Sequence, residues 1–153
     1  MKRRIFLQNL LLATSAPLSL SLGLLLPARA LASWPTEAFF ATTLDDAFSK
    51  LFGGNTPTPN DAIEIQAKEI AEDGSSVPVT IVSHIPGTRS ITLLSEKDPN
   101  PAVARFNLTS RVEASVRTRI KMGGTGDLVA VVEADGRFYI ARKKVKVTAG
   151  GCG

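Results

Sequence analysis

The sequence predicts a mainly β fold: an immunoglobulin-like antiparallel β-sandwich with a short N-terminal helical segment. Three observations carry that expectation. Up to about residue 52 apolar residues recur at three- and four-residue steps, whereas from Asp61 onward they alternate with polar ones. Seven alternating runs follow, separated by turn residues. The chain has 153 residues, 44% apolar and 21% charged, which is the ordinary mix of one domain and excludes wholesale disorder.

Residues 1–32 have the three parts of an export signal. Lys2-Arg3-Arg4 is the charged start, Leu10 to Leu26 is apolar, and Ala28-Arg29-Ala30 and Ala30-Leu31-Ala32 offer small residues for cleavage. The apolar stretch is short and interrupted by Pro17, so a membrane anchor is not expected. Arg3-Arg4-Ile5-Phe6-Leu7 resembles the twin-arginine signal, whose machinery exports folded proteins. A cleaved leader and a periplasmic location follow, with the mature chain starting at Leu31 or Ser33.

Residues 33–60 are read as a helical segment and connector. Phe39, Phe40, Leu44, Ala47, Phe48 and Leu51 form one apolar stripe within Trp34 to Phe52, in two helical pieces. Thr43 with Asp46 three residues on resembles a capping pair, and Gly53-Gly54 supplies the stop. Asn55 to Asn60, with Pro57 and Pro59, is a turn-rich connector.

Residues 61–147 supply the sandwich. The strand candidates are 63–67, 77–82, 90–95, 102–108, 111–122, 128–134 and 137–147, the last two joined by the turn Asp135-Gly136. Pro78 calls for an edge or a bulge, because proline cannot donate to a ladder. Gly123-Gly124-Thr125-Gly126 lacks the lysine of a phosphate loop and reads as a hairpin connector.

Composition excludes several function classes. One Cys and one His cannot form a His/Cys zinc site or an internal disulfide, and no cofactor or catalytic constellation is expected. The net charge of +4 suggests nucleic acid, but the leader carries four basic residues and no acid. The remainder holds 14 basic and 14 acidic residues, so no nucleic-acid partner is expected. Within it, residues 33–104 have ten acids against four bases, and residues 105–153 the reverse. His84, ahead of Ile85-Pro86-Gly87, reads as a loop histidine rather than a base. Asn107-Leu108-Thr109 fits a glycosylation acceptor that a bacterial-type leader makes accidental.

The chain ends Thr148-Ala149-Gly150-Gly151-Cys152-Gly153. Nothing after Val147 is large enough to anchor in a core, so residues 148–153 read as a flexible arm with glycines at Gly150, Gly151 and Gly153. From Thr148 to Cys152 it reaches about 16 Å when extended. Exported chains tend to avoid an unpaired thiol, so the cysteine is expected to work, either as a reactive group or in an interchain disulfide. A lipid anchor would place it just after the signal, at the opposite end. Lys143, Lys144 and Lys146 lie six to nine residues before it. They are candidates for docking an acidic partner or for a plain solvated face.

The leader, the helical start, the β-rich body and the terminal Gly-Gly-Cys-Gly together resemble the SoxY family, sulfur carriers of thiosulfate oxidation. Gly150, Gly151, Cys152 and Gly153 match its Gly-Gly-Cys-Gly-Gly ending, with the final Gly missing. Residues 69–74 and Val77-Pro78-Val79 also look like the family's first strand pair. The resemblance implies a carrier and not an enzyme, with sulfur compounds held covalently on Cys152. It implies a heterodimer with a SoxZ-like subunit and visits to partner enzymes: a haem c-type loading cytochrome, a manganese hydrolase that releases sulfate, and a molybdenum–haem sulfur dehydrogenase. The alternative is an exported immunoglobulin-like interaction module whose terminal Cys cross-links it to a partner.

Overall fold

A computed structural model describes residues 35–149. The expected leader, Trp34 and the terminal Gly150, Gly151, Cys152 and Gly153 lie outside the described residues.

The helical start is two pieces, α1 (Thr36–Phe39) and α2 (Leu44–Phe52). The Thr43 hydroxyl accepts the Asp46 amide at 3.2 Å, as the spacing predicts. Such a cap contributes about 1 kcal/mol. Gly53 ends α2 with φ +61°, a left-handed position that favours glycine.

Among the described residues nine strands follow: β1 (Thr58–Pro59), β2 (Ile63–Ala67), β3 (Ile70–Ala71), β4 (Val77–Ser83), β5 (Thr88–Ser95), β6 (Ala102–Asn107), β7 (Ser115–Ile120), β8 (Gly126–Ala134) and β9 (Arg137–Val147). The larger sheet runs β1-β9-β8-β5-β6, with β3 also on β9; the smaller is β2-β4-β7. Ile65, Val79, Ile81 and Val116 of the smaller sheet meet Ile91, Leu93, Leu128, Ala130 and Val132 of the larger in one core. The sandwich therefore follows from alternation, which gives each sheet one apolar face.

The larger sheet is covered on its other face too. Leu94, Val129 and Val131 turn away from the sandwich and pack under Ala38, Ala47, Leu51 and Phe52. A strand buried on both faces has no position left for solvent, which explains the unbroken apolar run from Leu128 to Val132. The helical stripe thus finds its cover within its own chain. Phe40 is the exception, 72% exposed.

Several expectations change in detail. Nine strands replace seven because β1 and β3, two residues each, pair in parallel with β9. The connector therefore contributes an edge segment, and the sandwich is not purely antiparallel. Residues 69–74 do not pair with Val77-Pro78-Val79; β3 goes to β9, while β4 pairs with β2 and β7. The 111–122 candidate shortens to Ser115–Ile120, because pairing with β4 stops at Val82↔Ser115 and Val112 is left exposed in a turn. Gly123–Gly126 is no hairpin, since it carries the chain from β7 in one sheet to β8 in the other.

Pro78 sits in a central strand without a register shift. Ser83 donates to Ala114 on the β7 side, so by alternation even-numbered residues of β4 face β2. β2 ends at Ala67, opposite Val79. Pro78 therefore lies just past its neighbour's end, where no ladder bond is lost.

Candidate functional site

The strand that leads into the C-terminus organises the site. β9 pairs with β8 from Ala134↔Arg137 to Gly126↔Val145. Their turn has Asp135 at φ +48° and Gly136 at φ +73°, the two left-handed residues of a tight hairpin. On its outer edge β9 pairs with β1 through Tyr139 and Ile140, and with β3 through Lys146 and Val147. Between those two contacts, among the described residues, the edge at Arg142 to Lys144 pairs with no strand.

Alternation divides the three lysines. Val145 is buried between the sheets, so Lys143 leaves the strand on that side and Lys144 and Lys146 on the other. Their side chains still border one edge cleft of about 750 Å³, lined also by Glu69, Ile70 and Thr125. None of the three makes an ion pair among the described residues. The cleft is cationic with one acid at its border.

Beyond Val147 the chain is held. The Thr125 hydroxyl accepts the Val147 amide at 2.9 Å. Thr148 donates its amide to the Ala71 carbonyl at 3.0 Å and its hydroxyl to the Glu72 carbonyl at 3.2 Å. Ala149 accepts the Gly74 amide at 2.8 Å. The arm expected from residue 148 therefore starts with two residues bonded to the 71–74 segment, a correction that moves its root to Ala149. Thr125 and Gly74 carry no sequence signal for this role, because their partners lie far along the chain.

The turn that receives the arm is itself braced. Asp73 accepts both the amide and the hydroxyl of Ser75, each at 2.7 Å. The amide bond first, and the hydroxyl bond second, hold the Asp73 carboxyl below its ordinary 3.8. The Gly74 carbonyl accepts the Met122 amide at 2.8 Å, tying the turn to the end of β7. Gly74 thus joins the arm root to the smaller sheet.

The remaining candidates are ordinary surface. His84 is exposed, its Nε2 3.9 Å from Glu64 Oε2. Among the described residues no group of three His, Cys, Asp or Glu could hold a metal ion. Among them, too, no helix is long and apolar enough to cross a membrane.

Residues 48–152 match the family model of the sulfur oxidation protein SoxY, from the middle of α2 to the cysteine. The chain belongs to the SoxY family. It is similar to the solved sulfur carrier protein SoxY from Chlorobium limicola f thiosulfatophilum, at 42% identity and a TM-score of 0.64. That alignment covers 69% of this chain and 96% of the other. As a SoxY protein it is a sulfur carrier in sulfur oxidation and not a catalyst of it. The superoxide reductase (neelaredoxin) from Ignicoccus hospitalis aligns at 23% identity and a TM-score of 0.50, over 73% of this chain and 97% of that one. This second likeness shows the sandwich fold alone. Comparison with curated proteins gives no match.

Proposed function

We propose that this SoxY protein holds sulfur intermediates of thiosulfate oxidation covalently on Cys152, in the periplasm, after export by the twin-arginine route. The single observation that carries the reading is the arm root. Ala149 is bonded to Gly74 just past the strand whose Lys143, Lys144 and Lys146 line a cationic edge cleft, and the chain's one cysteine follows three residues later. Three residues span about 10 Å at most. The carrier works with a SoxZ-like subunit and passes between a haem c-type loading enzyme, a manganese sulfate-releasing hydrolase and a sulfur dehydrogenase.

The chemistry balances without a group on this chain. The Cys152 thiolate and the outer sulfur of thiosulfate form an S–S bond, and the two electrons released pass to the loading cytochrome. Water then cleaves the terminal S–S bond at the hydrolase, leaving sulfate and a persulfide on the carrier. Lys144 and Lys146 favour the approach of anionic reactants and of an acidic partner rim.

Mass spectrometry of the native protein tests the proposal. Persulfide and thiosulfonate on Cys152 add about 32 and about 112 Da, and reductant removes both. An unmodified thiol after incubation with thiosulfate and the loading enzyme overturns it, as does a disulfide-linked dimer as the sole modified form.

A further inference from the structure

We infer that Thr148 is a positioning residue for the Cys152 thiol, fixing the root of the carrier arm at Ala149 and its reach at three residues. The consequence for sulfur transfer rests on the function proposed above; the geometry does not. After β9 ends at Val147, each successive residue is held by a different partner. Val147 is bonded to Thr125, Thr148 to Ala71 and Glu72, and Ala149 to Gly74. The receiving segment is fixed in turn by β3 pairing with Lys146 and Val147, by the Asp73–Ser75 bonds, and by the Met122 amide on Gly74.

A free arm rooted at Val147 reaches about 16 Å to Cys152, and one rooted at Ala149 about 10 Å. The bonds at Thr148 and Ala149 thus shorten by about 6 Å of extended length the chain between Cys152 and the nearest bonded residue before it among the described residues. They also give the thiol a fixed point of departure. Two residues already ordered need not be ordered again when the arm enters a partner's active site. The bond set is economical for this purpose: Thr148 supplies both a main-chain and a side-chain donor, and proline at that position supplies neither.

The test uses the full-length mature protein with a nitroxide on Cys152, its one cysteine. In the unaltered protein and in Thr148→Ser, paramagnetic broadening of amide signals should be confined to residues around the 71–75 turn, Thr125 and the end of β9. In Thr148→Pro it should spread to amides farther from the turn, with unfolding temperature little changed. An identical broadening pattern in Thr148→Pro overturns the inference. Hydrogen exchange of the unaltered protein gives a second reading that needs no variant. The Gly74 and Thr148 amides should exchange at least about tenfold more slowly than in an unstructured chain. Free exchange at both overturns it equally. Neither readout involves sulfur chemistry, so an arm that is clamped but never loaded would sink the function proposal and leave the clamp standing.

Discussion

The Phe52 and Phe138 rings lie 5.0 Å apart at 54°, joining the end of α2 to the start of β9. Phe48 meets Phe52 edge-on at 5.3 Å. The helical segment is therefore part of the core beneath the strand that leads into the arm. Phe52 is 3% exposed.

Phe52→Ala should destabilise the protein by about 3–5 kcal/mol, the usual cost of emptying a buried aromatic site. Phe48→Asp should likewise unfold the chain rather than release an intact monomer from a partner. Phe40→Asp should change stability by less than about 0.5 kcal/mol, as an exposed position does. Urea denaturation measures all three. Equal losses at Phe40 and Phe52 would contradict the helix-on-sheet packing.

Cys152→Ser should leave the urea midpoint and partner binding unchanged, because the position lies three residues past the last bonded one among the described residues. Thiosulfate-dependent turnover in a reconstituted system should fall to background, since a serine hydroxyl is scarcely ionised at neutral pH. Retained turnover would rule out the carrier role of this residue.

Because alternation separates the lysines, their effects should differ. Lys144→Gln with Lys146→Gln should slow partner-dependent loading severalfold at low salt, and less at physiological ionic strength. Lys143→Gln alone should have the smaller effect. Alkylation of Cys152 by a neutral reagent should be nearly unchanged in all of them. Loading that keeps both its rate and its salt dependence would make the lysines a solvated face only.

Asp73 gives the arm root a pH dependence. Its folded pKa lies below the unfolded value, so its contribution is present above the ordinary 3.8 and lost as pH falls through the depressed value. Protection of the Ser75 and Gly74 amides should hold at pH 5 and decline only in acid below about 3.8. Asp73→Ala should lower that protection already at pH 7. Protection that is independent of both pH and the carboxyl would remove Asp73 from the clamp.

The parts legible in the sequence are those governed by local periods and local contacts. The Thr43–Asp46 cap and the Gly53 stop span at most a few residues, and the hairpin at Asp135-Gly136 needs only its two turn residues. Period-two alternation and short apolar runs between turn residues were enough to predict the seven longer strands, although the run from Leu128 to Val132 does not alternate. The parting of Lys143 from Lys144 and Lys146 was not read from the alternation: the three stand as one basic run until Val145 is found buried between the sheets. The Gly-Gly-Cys-Gly ending was likewise visible, and with it the resemblance that the family match bears out. Tertiary structure decided the rest. An apolar stripe says that Phe48 must be covered but not by what, and it packs on Phe52 and on the cluster that Leu94, Val129 and Val131 of the larger sheet complete. Strands of two residues carry no periodicity, so β1 and β3 exist only because the edge of β9 offers them partners. Thr148 reads as the start of a free arm because its partners, Ala71 and Glu72, stand 77 and 76 residues earlier. A hydrogen bond between such distant segments leaves no local pattern, and only the folded sheet brings its two ends together.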